Sequence, residues 1–170
     1  MKNKFTEILP TDARAENVFN MIGKQWMLIT SKNENEVNTM TASWGNLGVL
    51  WGKPVAICYI RPQRHTFPIV ESTDRLSLSF LGEDYRDALK ICGTKSGRDV
   101  NKFEISGLSV SEYDQTPYIN EADTVLVCKK LYADYLKDEA FTSTEPLSHY
   151  PDKDFHKFYI CEIEKILVKE

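Results

Sequence analysis

Apolar and polar residues alternate along much of this chain with a period of two, the pattern of strands that bury one face. The run Gln25-Trp26-Met27-Leu28-Ile29-Thr30 reads as a strand, 31–36 as a polar turn and 37–43 as a second strand, so the three are predicted to form a hairpin. On the second strand Thr39, Thr41 and Ser43 share one face, and Met40, Ala42 and Trp44 share the other. The hydroxyl-bearing face is expected to be wet or to face a ligand. Residues 44–52 combine Gly45, Gly48 and Gly52 with Trp44 and Trp51 and read as an apolar loop, packed over the core or lining a pocket or dimer contact. Residues 54–60 are apolar on both faces, as in a fully buried strand. A short helix with Pro68 in its first turn is predicted over 66–72, and a strictly alternating strand over 75–81. A helix follows over 83–91, with Tyr85, Ala88, Leu89 and Cys92 at helical spacing and Gly93 as its stop. Beyond it the pattern predicts a strand over 104–111, a turn at Thr116-Pro117 and a long strand over 123–136. An acidic, proline-containing insertion over 138–151 precedes a closing strand over 154–168. Near the N-terminus, 10–19 reads as a short helix capped by Thr11 or Asp12. Many strands without a regular helix between each pair argue for a mainly β fold, a closed antiparallel barrel with short helices and not a doubly wound sheet.

Composition narrows the functional classes. A chain of 170 residues is long enough for one domain with a proper core, and a single domain over 1–170 is expected. A formal net charge of -4 and a pI near 5.5 provide no global footprint for nucleic acid or an anionic membrane. No apolar run is long enough to span a bilayer and the charged start leads into no signal-like segment, so a cytoplasmic location is expected. Cys58, Cys92, Cys128 and Cys161 are far apart and form no C-x-x-C pair. They are read as reduced thiols, with Cys58, Cys128 and Cys161 acting as small buried hydrophobes. The three histidines have no metal-ligand spacing, and no metal site is expected.

Local chemistry is more informative. The segment Arg61-Pro62-Gln63-Arg64-His65-Thr66 delivers two arginines, a glutamine and a threonine at the end of a buried strand, with no carboxylate among them. Such a cluster needs either a phosphate or acids brought from elsewhere in the fold. In 92–103, Gly93, Ser96 and Gly97 precede a helix-like stretch, with Lys95, Arg98 and Lys102 nearby. That arrangement can present backbone N–H groups and a hydroxyl to an anion, although it also describes an ordinary helix-to-helix turn and matches neither the P-loop nor the dinucleotide fingerprint. The alternative is that Arg61, Arg64 and Lys102 form structural ion pairs with distant acids such as Glu121, Asp123 or Glu162. No triad, paired carboxylates or activated cysteine is written in the chain. His149, Tyr150 and His156 read equally as surface or contact residues and as the edge of a ligand pocket.

The order and spacing of 38–45, 61–66 and 92–103 resemble the flavin reductase-like family of FMN-binding split barrels, which includes flavoredoxins. The likeness covers nearly the whole chain. It implies a Greek-key antiparallel split barrel in which Asn38, Thr39, Met40, Thr41, Ala42 and Ser43 run along the isoalloxazine ring, binding it largely through main-chain groups. It also implies that Arg61, Gln63, Arg64 and Thr66, with Ser96, Gly97 and Lys102, hold the ribityl chain and phosphate. A homodimer follows from the same resemblance, with FMN near the interface and Trp44 and Trp51 against the partner. So does reduction by NADH or NADPH as a transient hydride donor, with electrons passed to free flavin, ferric iron or a partner protein. A related possibility is an FMN-binding electron-transfer protein without direct NAD(P)H activity. A flavin carries the hydride and electron steps itself, so no catalytic side chain is required and none is assigned.

Overall fold

The computed structural model describes residues 5–8 and 18–170. Most of the helix expected over 10–19 lies outside the described residues; its end falls in α1 (Val18–Asn20), which runs into a π-helical turn, Met21–Gln25. The strands are β1 (Phe5–Ile8), β2 (Met27–Lys32), β3 (Val37–Ala42), β4 (Gly45–Leu50) and β5 (Lys53–Ile60), then β6 (Arg75–Phe80), β7 (Val110–Tyr113), β8 (Thr116–Ile119), β9 (Thr124–Tyr135) and β10 (Lys157–Lys169). The helices between them are α2 (Thr66–Glu71), α3 (Arg86–Thr94) and α4 (Lys102–Ser106). One antiparallel sheet runs in the order β3-β2-β6-β9-β10-β5-β4, and β7 pairs with β8 as a separate hairpin. The fold is thus mainly β, a split barrel whose path ends on β3 and β4. β10 is its spine: it pairs with β9 along its length, with β5 through Lys157–Glu162 and with β1 from Ile166 onward.

Both faces of β2 are covered, which is why Met27, Leu28, Ile29, Thr30 and Ser31 are all buried. Met27 and Ile29 join Met40, Ile60, Leu76, Leu78, Leu126 and Tyr159 in one core, while Leu28 joins Leu89, Cys92, Ile119, Val125 and Leu167 in a second. Side chains that alternate along one strand therefore feed two different clusters. Cys58, Cys128 and Cys161 lie in the first and Cys92 in the second, all free and buried, as small hydrophobes should be. Among the described residues no helix is long and apolar enough to cross a membrane.

The structure departs from the pattern reading at four places. Residues 45–50 form strand β4, paired with β5 from Gly45↔Cys58 to Leu50↔Lys53, and not a loop. Its glycines hide the alternation, and the hairpin turns on Trp51 and Gly52, both at positive φ (52° and 69°). Residues 102–106 form helix α4 where a strand is predicted from 104. Asn101 caps it, its side chain accepting from Phe103 N and Glu104 N, a contact that typically contributes about 1 kcal/mol. The expected turn at Thr116-Pro117 lies instead at Asp114-Gln115, again with positive φ at both positions (44° and 61°), and Thr116 starts β8. Finally, α3 continues one residue past Gly93, because Lys95 N still donates to Ile91 O at 2.9 Å.

Candidate functional site

Three segments remote in sequence meet at the start of β3. Asn38 Nδ2 donates to Thr66 Oγ1 at 3.0 Å, which joins β3 to the first turn of α2. Gly97 lies against the same amide: a Cβ there would stand 2.8 Å from Asn38 Oδ1 and 2.7 Å from His65 Cδ2. Arg64 Nη1 reaches across to Gly93 O at 2.8 Å. Lys102, only 4% exposed, donates to Thr39 O and Cys92 O, each at 2.9 Å, and so binds α4 to β3 and to α3. Ser96 organises the intervening loop, its hydroxyl accepting from Arg98 N at 3.2 Å and its carbonyl from Asp99 N and Val100 N. Asn38, Arg64, Thr66, Ser96, Gly97 and Lys102 are thus brought together.

The electrostatics of this cluster are those of cations short of partners. Among the described residues, Arg64 and Lys102 bond to backbone carbonyls and have no carboxylate in ion-pair contact. Burial and then the charge of Arg61 lower the pKa of Arg64, and burial, reinforced by Arg64, brings that of Lys102 down to about 8. A buried cation without a counter-charge favours any anion that can reach it.

The remaining candidate residues fall elsewhere. Thr39, expected on a wet face, is fully buried; its hydroxyl bonds to Thr30 Oγ1 and Ile29 O. Thr41 Oγ1 donates to Leu89 O at 2.5 Å, so α3 covers this face, and a helix covering one side is what the period-two pattern of β3 alone does not reveal. Met40 is buried in the first core and Ala42 packs against it. Ser43 lies just past the end of β3 and lines a cleft. Arg61 Nη1 and Gln63 Nε2 both donate to Asp154 Oδ2, at 2.5 and 2.6 Å, an acid contributed by the insertion between β9 and β10. The acids suggested as alternative partners are engaged elsewhere: Glu162 with Lys53, Asp123 with Lys169 and Glu121 with Ser109.

At the other end of β3 the cleft, about 990 Å³ in volume, is walled by Val18, Phe19, Ile22, Trp44, Tyr59 and Tyr150, and none of its described lining residues is charged. The α1 and π-turn residues in this wall carry no motif in the sequence and are legible only from the fold. Asn38 and Ser43 are five residues apart, so the cation cluster and the cleft are separated by about 16 Å of strand. This arrangement suits an elongated ligand with an anion at one end and a flat, uncharged group at the other.

Behind the cleft wall, Tyr150 Oη and His156 Nδ1 share a hydrogen bond of 2.8 Å, and the His156 ring lies 5.1 Å from that of Trp44. Burial, assisted by Arg61, lowers the His156 pKa to about 4, so the ring is neutral at physiological pH. The unfolded chain gains a proton on this histidine near pH 6.5, whereas the folded chain does not until about pH 4. Stability therefore falls as pH drops through that window, by up to about 3 kcal/mol. Thermal melts at pH 7 and 4.5 are expected to differ more for the native sequence than for His156→Gln.

Comparison with known proteins identifies the fold and the family. No curated protein matches the chain in sequence. Among solved structures, an FMN-binding domain of a flavin reductases-like enzyme from Shewanella baltica OS155 superposes with a TM-score of 0.72 at 14% identity, over 99% of this chain and 79% of that one. Flavoredoxin from Methanosarcina acetivorans gives 0.68 at 18% identity, over 93% and 77% of the two chains. Flavoredoxin of Desulfovibrio vulgaris (Miyazaki F) gives 0.67 at 17%, over 94% and 76%. These likenesses establish the fold. Residues 19–170 match the family model described as the flavin reductase like domain, and the chain therefore belongs to the flavin reductase-like family.

Proposed function

We propose that this chain is an FMN-binding oxidoreductase in which NADH or NADPH reduces the bound flavin and the electrons pass to a further acceptor. The observation that carries this reading is the pairing, along one strand, of cations that lack carboxylates with an uncharged, ring-walled cleft. In it, Arg64 and Lys102 supply charge for the phosphate, and Asn38, Thr66 and Ser96 supply polar groups around it. Gly97 leaves room for the close approach of the loop to Asn38. The main chain of β3 and Ser43 then direct the ligand toward the cleft. FMN, when bound, supplies the hydride and electron chemistry, so the chain's own task is to bind, orient and exclude water. β4 and its turn expose Val49 and Trp51, with Trp44 exposed at the strand's other end, and a second copy of the chain is the partner proposed for these residues.

A second reading has one observation in its favour. Among the described residues the cleft lining offers no cation for the pyrophosphate of a nicotinamide dinucleotide, which suits an electron-transfer flavoprotein reduced by a partner protein. The visible spectrum of the purified protein, followed by anaerobic addition of NADH and then NADPH, separates the two. A yellow protein that bleaches supports the reductase. One that stays yellow with both nucleotides supports electron transfer, and a colourless protein that takes up no added FMN overturns both.

A further inference from the structure

The insertion between β9 and β10 is fastened to the body of the fold through Arg61. Arg61 Nη1 donates to Asp154, Nη2 donates to His149 O at 2.9 Å, and the guanidinium carbon lies 5.2 Å from the centre of the Tyr150 ring. Gln63 Nε2 adds a second donor to the same Asp154 oxygen. Arg64, three residues on, turns the opposite way to Gly93 O. The two arginines of one motif therefore serve different partners.

The fastened segment is prebuilt. Phe141, Tyr150 and Phe155 form a ring cluster with centroids 4.9 to 6.2 Å apart, and Lys153 pairs with Asp138 at 2.9 Å. It presents Tyr150 to the cleft and sets His149 and His156 against Trp44 at 5.2 and 5.1 Å. The ring cluster and the ion pair tie the segment together, so an anchor at Arg61 also positions Tyr150, its ring in the cleft wall.

We propose that Arg61, Gln63 and Asp154 form a latch that positions this ring-bearing insertion at the cleft, and that Arg61 and Gln63 are positioning residues, not phosphate ligands. Side chains here are about a quarter exposed (27% for Arg61, 22% for Asp154), so the pair is shielded better than an ordinary surface ion pair. Donation by Gln63 and then Arg61 also holds the Asp154 carboxyl below its usual range, so the latch is charged at neutral pH. Its consequence for turnover rests on the flavin reading above; the latch itself does not.

The test uses the full chain and the variants Asp154→Asn, Arg61→Gln and their double, with Asp154→Glu as partial rescue. In flavin-free protein, amide exchange over 138–153 is expected to speed up at least tenfold in each single variant, and no further in the double. Affinity for FMN is expected to change less than threefold. Where NADH reduces the flavin, its KM rises several-fold with kcat within twofold, and Asp154→Glu recovers part of the loss. Unchanged exchange over 138–153 overturns the latch, as does loss of FMN affinity in Arg61→Gln equal to that in Arg64→Ala. If the native protein takes up no FMN, the flavin reading fails and the exchange result alone decides the latch.

Discussion

Arg64→Ala is expected to lower the affinity for FMN roughly a hundredfold and to leave that for riboflavin within a few-fold. The guanidinium is partly buried between the 61–66 loop and the end of α3, and its contact there is with a neutral carbonyl, not a carboxylate. Removing a charge-assisted pair with phosphate costs about 3 kcal/mol, which at 1.4 kcal/mol per decade is two orders of magnitude. The loss to folding is smaller, about 1 kcal/mol for one neutral acceptor left to water. Riboflavin lacks the phosphate, so titrating both ligands by flavin fluorescence isolates the contribution of charge. Equal losses for both would mean that Arg64 only shapes the site. Arg64→Lys, which keeps the charge but not the planar fork, is expected to fall between.

Gly97→Val is expected to abolish FMN binding over the accessible concentration range and to lower stability by about 1 to 3 kcal/mol. The added carbon would stand 2.7 Å from His65 and within 3.0 Å of both amide atoms of Asn38. His65 in turn is held by Glu36 at 2.9 Å, and Asn38 by Thr66 at 3.0 Å, so neither neighbour is free to swing aside. The loop must back away from β3 and take Ser96 with it. Gly48→Ala on β4 is the matched control, because an added carbon there meets nothing within 4 Å, and both stability and FMN affinity are expected to hold. Chemical denaturation and FMN titration of the two variants check the contrast.

Much of this could be read from the residues themselves. The hairpin of β2 and β3 and the strands β5, β6, β9 and β10 follow from period and composition, but the faces of two do not. β5, read as buried on both, leaves Ile57 and Tyr59 half-buried, and the serine face of β6, read as exposed, is buried at Ser77 and Ser79. The order of the 38–45, 61–66 and 92–103 segments likewise anticipated their meeting in space. β4 did not declare itself because Gly45 and Gly48 contribute no side chains to the pattern. Thr39 and Thr41 misled for a different reason. Hydroxyls satisfied internally, by Thr30 and Leu89, look in sequence like hydroxyls facing water. The acid that meets Arg61 comes from 93 residues away, in an insertion whose acidic character is visible but whose folded position is not.

The pairing of β10 also dictates when this chain can fold. On the edge of β5 away from β4, Val55 finds its partner at Glu162, and β9 is registered against the same late strand. Strands β2 to β6 thus spend synthesis with one side of the barrel unbuilt, and the long loops that β10 must close make its docking the slow, entropically costly event. Until it docks, β5 and β9 each have an exposed hydrogen-bonding edge rich in apolar residues, and the nascent chain is open to off-pathway association through those edges.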